Sequence, residues 1–228
     1  TDGVVDIHAL LQGYLQHARA GGAKVLTSTK VVAILTQQRK VTVVVTESGA
    51  IQTEVVVNAA GAWAGEFAQL ARAVSVPLRP YRRHLLTTDL LPWVKPDWPF
   101  VWDFTEEVYF RPESGGLLLS PCDEVEYPPG IPPVDRDAAV LLYRKLMRYP
   151  RLHDLPIKAT WAGLRTLAED GKFVVGWDPL IHGFFWVAGL GGHGVTASGS
   201  IGRLAADLII KQDWEGIKDF SPARFILK

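Results

Sequence analysis

The chain is poor in the residues that would mark several protein classes. It has one cysteine, Cys122, in 228 residues. That excludes an internal disulfide and fits a reducing compartment, so a cytoplasmic location is expected. Charge of one sign is not in excess: 24 basic residues balance 24 acidic ones. Nothing therefore points to nucleic acid as a partner. No apolar run reaches the roughly 20 residues a membrane-spanning helix needs, and no signal peptide is visible at Thr1. Histidine and cysteine nowhere recur at ligand spacing, so no metal is expected. Gly199-Ser200 lacks the setting of a nucleophile elbow, with a partner His and acid, which makes a hydrolase a poor reading. Internal repeats and low-complexity tracts are also missing. There is no initiator Met, and the chain reads as a fragment or a processed product.

What remains is 48% hydrophobic and 21% charged, enough for a sizeable core in one large domain or two small ones. Asp6 should cap a helix running to about Ala20, with Leu10, Leu11, Tyr14, Leu15 and Ala18 on an apolar face. Gly21 and Gly22 stop it. Residues 24–27 read as a strand. Residues 31–36 and 41–46 read as a hairpin with poor turn chemistry at Gln38-Arg39-Lys40, and 51–53 as a further strand. Val55, Val56 and Val57 are wholly apolar, as in a strand buried on both faces. They run into small residues at 58–61 that turn into a helix over about 62–73.

Composition shifts at Val76, where prolines and Trp93, Trp98 and Trp102 begin. Strands are expected at 82–88, 101–104, 108–111 and 116–120, with a turn at Ser114-Gly115-Gly116. Asp135 should cap a helix to about Tyr149, with Ala139, Leu142, Tyr143, Leu146 and Met147 inward. Residues 157–168 form a long strand, and 173–177 and 184–188 pair as a hairpin or lie side by side. The middle segment thus reads as an antiparallel sheet with a covering helix, set between two parts of one α/β domain.

Residues 184–210 read strand, glycine turn, helix. Gly189, Gly191 and Gly194 match GxGxxG. A dinucleotide site of the usual kind needs a second parallel strand after the helix, and residues 211–228 offer no convincing one. Packing of helix on strand is the bland alternative. Otherwise the first turn of the helix, with its free N–H groups and partial positive charge, faces something electron-rich other than a pyrophosphate.

Three motifs together resemble the D-amino-acid oxidase superfamily of flavoproteins: VVVNAAGAW at 55–63, TWAGLRTLAEDGKFVVGWDP at 160–179 and GFFWVAGLGGHGVTASGSIG at 183–202. RRH at 82–84 and YFRP at 109–112 are most similar to the D-arginine dehydrogenases, with glycine and sarcosine oxidases more distant. The resemblance covers nearly the whole chain and implies an α/β plus α+β fold. An incomplete FAD/NAD(P)-binding, glutathione-reductase-like domain would occupy residues 1–76 and 165–228. An inserted antiparallel-sheet substrate domain would occupy 77–164. Family members begin with a βαβ unit holding the ADP part of FAD, which this chain does not show. The chain is accordingly expected to be the C-terminal two-thirds of an enzyme, inactive alone, whose missing N-terminal segment is cut away or is a separate subunit.

The implied chemistry is oxidation of a D-amino acid, glycine or an N-methyl amino acid by hydride transfer to flavin N5. The implied substrate contacts are Arg165, Tyr109, Arg83, Gly192 and His193. The implied FAD contacts are Val31, Ala59, Ala60, Gly61, Trp63, Gly189, Gly191, Gly192, His193, Gly194, Val195 and Thr196. A guanidinium suits a carboxylate because it holds it by two parallel hydrogen bonds. Other readings stand beside these: a salt bridge from Arg165 to Glu169 or Asp170, a core aromatic at Tyr109, a solvated strand charge at Arg83, and a wall residue at His193. The second functional reading is a non-catalytic binding module that does not retain FAD. Side-chain specificity and the electron acceptor are not legible.

Overall fold

The computed structural model describes residues 3–211 and 217–226. Two compact units divide the chain. A split unit comprises Asp6–Arg79 and the described residues from Arg165 on. A continuous unit comprises Pro80–Leu164 with the described residues before Asp6.

The split unit opens with helix α1, Ile7–Ala20, whose N-cap Asp6 accepts a hydrogen bond from the Ala9 N–H. Its apolar face is not buried: Leu11 and Tyr14 are exposed, contrary to the inward face expected of it. Residues 24–27 form no strand; Val25 and Leu26 are exposed and pair with nothing among the described residues. Strands β1 (Val31–Gln37), β2 (Lys40–Thr46) and β3 (Gly49–Gln52) make an antiparallel sheet. The β1–β2 turn puts Gln38 and Arg39 at φ 49° and 61°, the left-handed conformation that two-residue hairpins demand and that non-glycine residues resist. It is held from outside. The Val41 N–H donates to the His182 carbonyl, and the His182 N–H donates to the Arg39 carbonyl.

Strand β4, Val56–Asn58, lies parallel to a later strand described below. Val56 and Asn58 are buried, but Val55 and Val57 are exposed. The strand is thus covered on one face, not on both as three consecutive valines suggested. A 3-10 turn, Gly61–Trp63, leads into α2, Ala64–Ala71, which is shorter than the helix expected over 62–73 because Arg72 closes it at φ 55°.

In the continuous unit, β5 (Leu78–Thr88), β6 (Val101–Asp103), β7 (Val108–Glu113), β8 (Gly116–Ser120), β9 (Val125–Glu126) and β10 (Ile157–Ala168) share one sheet. Its order is β10-β5-β8-β7-β6, with β9 also on β5. The chain passes between the units within β5 and within β10. Helix α3, Ala138–Leu146, packs Leu142 and Leu146 against Leu86, Val108, Leu117 and Leu119. It starts three residues after Asp135. That carboxylate does not cap it: one oxygen is held by Arg82 at 2.6 Å, and the other accepts the Asp137 N–H, ahead of the helix, at 3.0 Å. The helix also stops short of Tyr149, and Met147 is exposed rather than inward.

Back in the split unit, β11 (Val174–Trp177) and β12 (Phe184–Ala188) form an antiparallel hairpin, and β12 runs parallel to β4. Helix α4, Gly194–Lys211, follows the glycine loop. Pro222–Phe225 is a 3-10 helix; residues 212–216 and 227–228 of the closing stretch lie outside the described residues. Phe184 and Trp186 sit in the core with Val56, Ala64 and Ala68, and Phe185 packs under α4 with Ala205 and Leu208. No described helix is long and apolar enough to cross a membrane.

Candidate active site

Two loops leave the carboxyl ends of the parallel pair β4 and β12, where open α/β sheets bind ligands. Trp186 pairs with Asn58 in register, so Ala59, Ala60 and Gly61 emerge beside Gly189–Thr196. Asn58 fixes the first loop. Its buried side-chain amide donates to the Ala64 carbonyl at 2.8 Å and its oxygen accepts from the Ala60 N–H. Trp63 stands exposed just beyond. The second loop depends on glycine where it is tightest. Gly189, Gly191 and Gly192 have φ of 66°, 55° and 88°, a region that side chains disfavour. The Gly191 N–H donates to the Thr166 carbonyl, which ties the loop to β10. In α4 the Ala197 N–H donates to the His193 carbonyl. The N–H groups of Gly194, Val195 and Thr196, one step earlier, have no acceptor within the helix.

Arg165 is the side chain brought to this loop. A Cβ built on Gly192 would lie 2.9 Å from Arg165 Cδ and Nε. The guanidinium therefore lies flat against a backbone that has room for it only because residue 192 is glycine. Arg165 makes no hydrogen bond and no ion pair among the described residues. It forms no salt bridge to Asp170, whose carboxylate is held by Arg224 with Nε at 2.7 Å and Nη2 at 3.1 Å. His193 is exposed, its ring 6.4 Å from Phe173. Val31 sits at the first position of β1 and packs against the core of Ile34 and Val56.

The Arg224 hydrogen bond is also the main reason that the Asp170 carboxyl titrates below its ordinary range. A depressed carboxylate contributes stability above its unfolded pKa, about 3.9, and loses it as pH falls through the folded value. Arg224→Leu should therefore unfold more readily than the parent at pH 7. The gap should narrow below about pH 4, as thermal melts across pH will report.

Tyr109 and Arg83 belong to the continuous unit. Both are buried, at 8% and 7% exposure. Arg83 is not the solvated strand charge that its type suggests. It pairs with the exposed Glu124, and its Nε is buried without a hydrogen-bond partner. Tyr109 pairs across strands with Trp102 and with Ser120. Neighbouring His84 is fully engaged: Nε2 accepts from the Asp135 N–H, which leaves the Nδ1 proton to Asp123 at 2.7 Å.

A cleft of about 1410 Å³ lies away from the glycine loop, lined by Lys40, Thr53, Glu54, Asp178 and His182 around the amino end of β12. Sequence reasoning missed Asn58 as the organiser of the first loop. Its place between a valine run and Ala-Ala-Gly was the available signal.

A glycine loop at the carboxyl ends of a parallel pair, closed by a helix N-terminus, defines an α/β fold. More particularly, the chain belongs to the FAD dependent oxidoreductase (DAO) family, whose model matches residues 1–208. It is 30% identical over 200 residues to FAD-dependent oxidoreductase domain-containing protein 1 of Xenopus laevis, covering 78% of this chain and 40% of that protein. It is 26% identical to hydrogen cyanide synthase subunit HcnC of Pseudomonas aeruginosa, covering 95% of this chain and 51% of that one. Among solved structures it resembles L-proline dehydrogenase from P. horikoshii, with a TM-score of 0.85 at 25% identity, over 95% of this chain and 59% of that one. The chain thus spans about half or less of the length of these curated relatives.

Proposed function

We propose that the whole protein is a FAD-dependent oxidoreductase that oxidises an amino acid at the carbon bearing the nitrogen. The substrate is a D-amino acid, glycine or an N-methyl amino acid. The observation that carries this reading is Arg165, a half-buried guanidinium at the glycine loop without an anionic partner among the described residues. A carboxylate set against it would receive two parallel, charge-assisted hydrogen bonds. That contact fixes the substrate at one end and so orients its α-carbon.

The loop residues fit a flat, electron-rich ring. The loop adds no side chain at Gly191, Gly192 or Gly194, and the α4 N-terminus offers N–H groups without an acceptor in the helix and a partial positive charge. Ala59, Ala60, Gly61, Trp63, Val31 and residues 189–196 are the proposed cofactor contacts. FAD, when bound, supplies the two-electron acceptor for the oxidation. Tyr109 and Arg83 are proposed as further substrate contacts, and His193 as a wall of the pocket. The imine that leaves is hydrolysed by water to a 2-oxo acid and ammonia, or to a 2-oxo acid and methylamine when the substrate is N-methylated.

The test is anaerobic titration of the purified whole protein, reconstituted with FAD, with glycine, sarcosine and both enantiomers of alanine. Bleaching of the flavin absorbance by at least one of them is expected. A protein that retains FAD but is bleached by no amino acid, or that never retains FAD, would remove the proposal.

A further inference from the structure

Tyr109 does not stand alone. Its ring lies 5.3 Å from Phe100 and 6.2 Å from Trp102, and Trp102 stacks on Phe104 at 4.7 Å. Trp102 and Tyr109 are direct cross-strand partners on β6 and β7, so their side chains leave the same face of the sheet. The opposite face, carrying Val108, Phe110 and Leu119, is the one that α3 covers. While Tyr109 is buried by its neighbours, Phe100, Trp102 and Phe104 remain 46%, 43% and 75% exposed. A contiguous aromatic patch of this kind marks a binding surface more often than a tolerated accident.

The charges around it narrow the ligand. Asp103 accepts a hydrogen bond from the Tyr149 hydroxyl, and Glu106 pairs with Arg148 at 3.0 Å. Glu107 lies 3.5 Å from Lys145, and Glu113 pairs with Arg111 at 2.7 Å. Each carboxylate of the hairpin is thus engaged, and none is left to select a basic side chain. What the patch offers is apolar area and ring faces, with Tyr109 as its buried member.

We infer that the substrate carries a bulky apolar or aromatic side chain and that Phe100 and Trp102, both against the Tyr109 ring, receive it. This rests on the proposed function, in which Tyr109 is a substrate contact. Removing one aromatic wall deprives such a side chain of ring contact and buried area. The expected result is a change in specificity rather than a uniform loss.

The experiment compares kcat/KM of the FAD-loaded whole enzyme for both enantiomers of phenylalanine, alanine and arginine. One enantiomer of phenylalanine should exceed alanine of the same hand by at least about tenfold. Trp102→Ala should remove about tenfold from phenylalanine while leaving alanine within about twofold. Phe100→Leu, which keeps the volume and drops the ring, should move the ratio the same way and guards against a folding defect in the first variant. Equal losses on phenylalanine and alanine mark the patch as structural and overturn the inference, as does a preference for arginine. If no amino acid is oxidised, the proposed function falls, and binding decides this point instead. Saturable quenching of tryptophan fluorescence by phenylacetate, lost in Trp102→Phe, supports the aromatic site; its absence refutes it.

Discussion

Replacing Arg165 with leucine should lower kcat/KM for the amino-acid substrate by roughly two to four orders of magnitude, with FAD retained at the parent level. Two charge-assisted hydrogen bonds to a carboxylate are each worth about 1.5–3 kcal/mol. They act on substrate alone, so the flavin should not register their loss. Arg165→Lys should recover only part of the activity, since an ammonium restores the charge without the fork. Gly192→Ala should mimic the arginine variants at a distance. Its new methyl would lie 2.9 Å from Arg165 Cδ and Nε, and the guanidinium would have to move. Steady-state kinetics beside the flavin spectrum separates the cases. Parent-like kinetics in Arg165→Leu would take the residue out of the site.

The second large effect is on stability. Asp178→Asn should cost about 2–6 kcal/mol, read as a lower urea midpoint with an unchanged slope. Asp178 is buried, and its two oxygens accept four hydrogen bonds. Oδ2 receives the Val74 N–H and the indole N–H of Trp186, both at 2.9 Å. Oδ1 receives the N–H groups of Leu180 and Ile181 at 2.9 and 2.8 Å. Asparagine keeps one oxygen and turns an NH₂ toward two of those donors, leaving buried groups unsatisfied at about 1–3 kcal/mol each. A loss under 1 kcal/mol would mean that water or a backbone shift takes over the role.

Much of the fold was legible where local pattern and final environment agree. Residues 157–168 alternate and end in turn residues, and the strand is found at those bounds. Asp6 and the Gly21-Gly22 pair bracket a helix that starts and stops where they say. Legibility failed where the outcome depends on partners that a local window does not contain. Val25 and Leu26 have strand composition and no strand beside them. Three valines at 55–57 look doubly buried, yet the neighbour strand and helix supply cover for one side only. Asp135 is a good capping residue, but the helix begins three residues later, and its carboxylate is shared between the Arg82 guanidinium and the Asp137 N–H ahead of the helix. The candidate site divides in the same way. Glycine spacing exposed the loop, because each tight position shows in the sequence as a missing side chain. The partner of Asp170 was not readable, since it is Arg224, distant in sequence.

The β1–β2 turn bears on which parts of the molecule can form without the others. Gln38 and Arg39 each sit where a side chain costs about 1–2 kcal/mol, and the offsetting hydrogen bonds come from His182 at the far end of the chain. A hairpin with that turn gains little by closing first. Its pairing is secured only once the segment before β12 has arrived, so residues that look like a local unit are stabilised by a long-range contact.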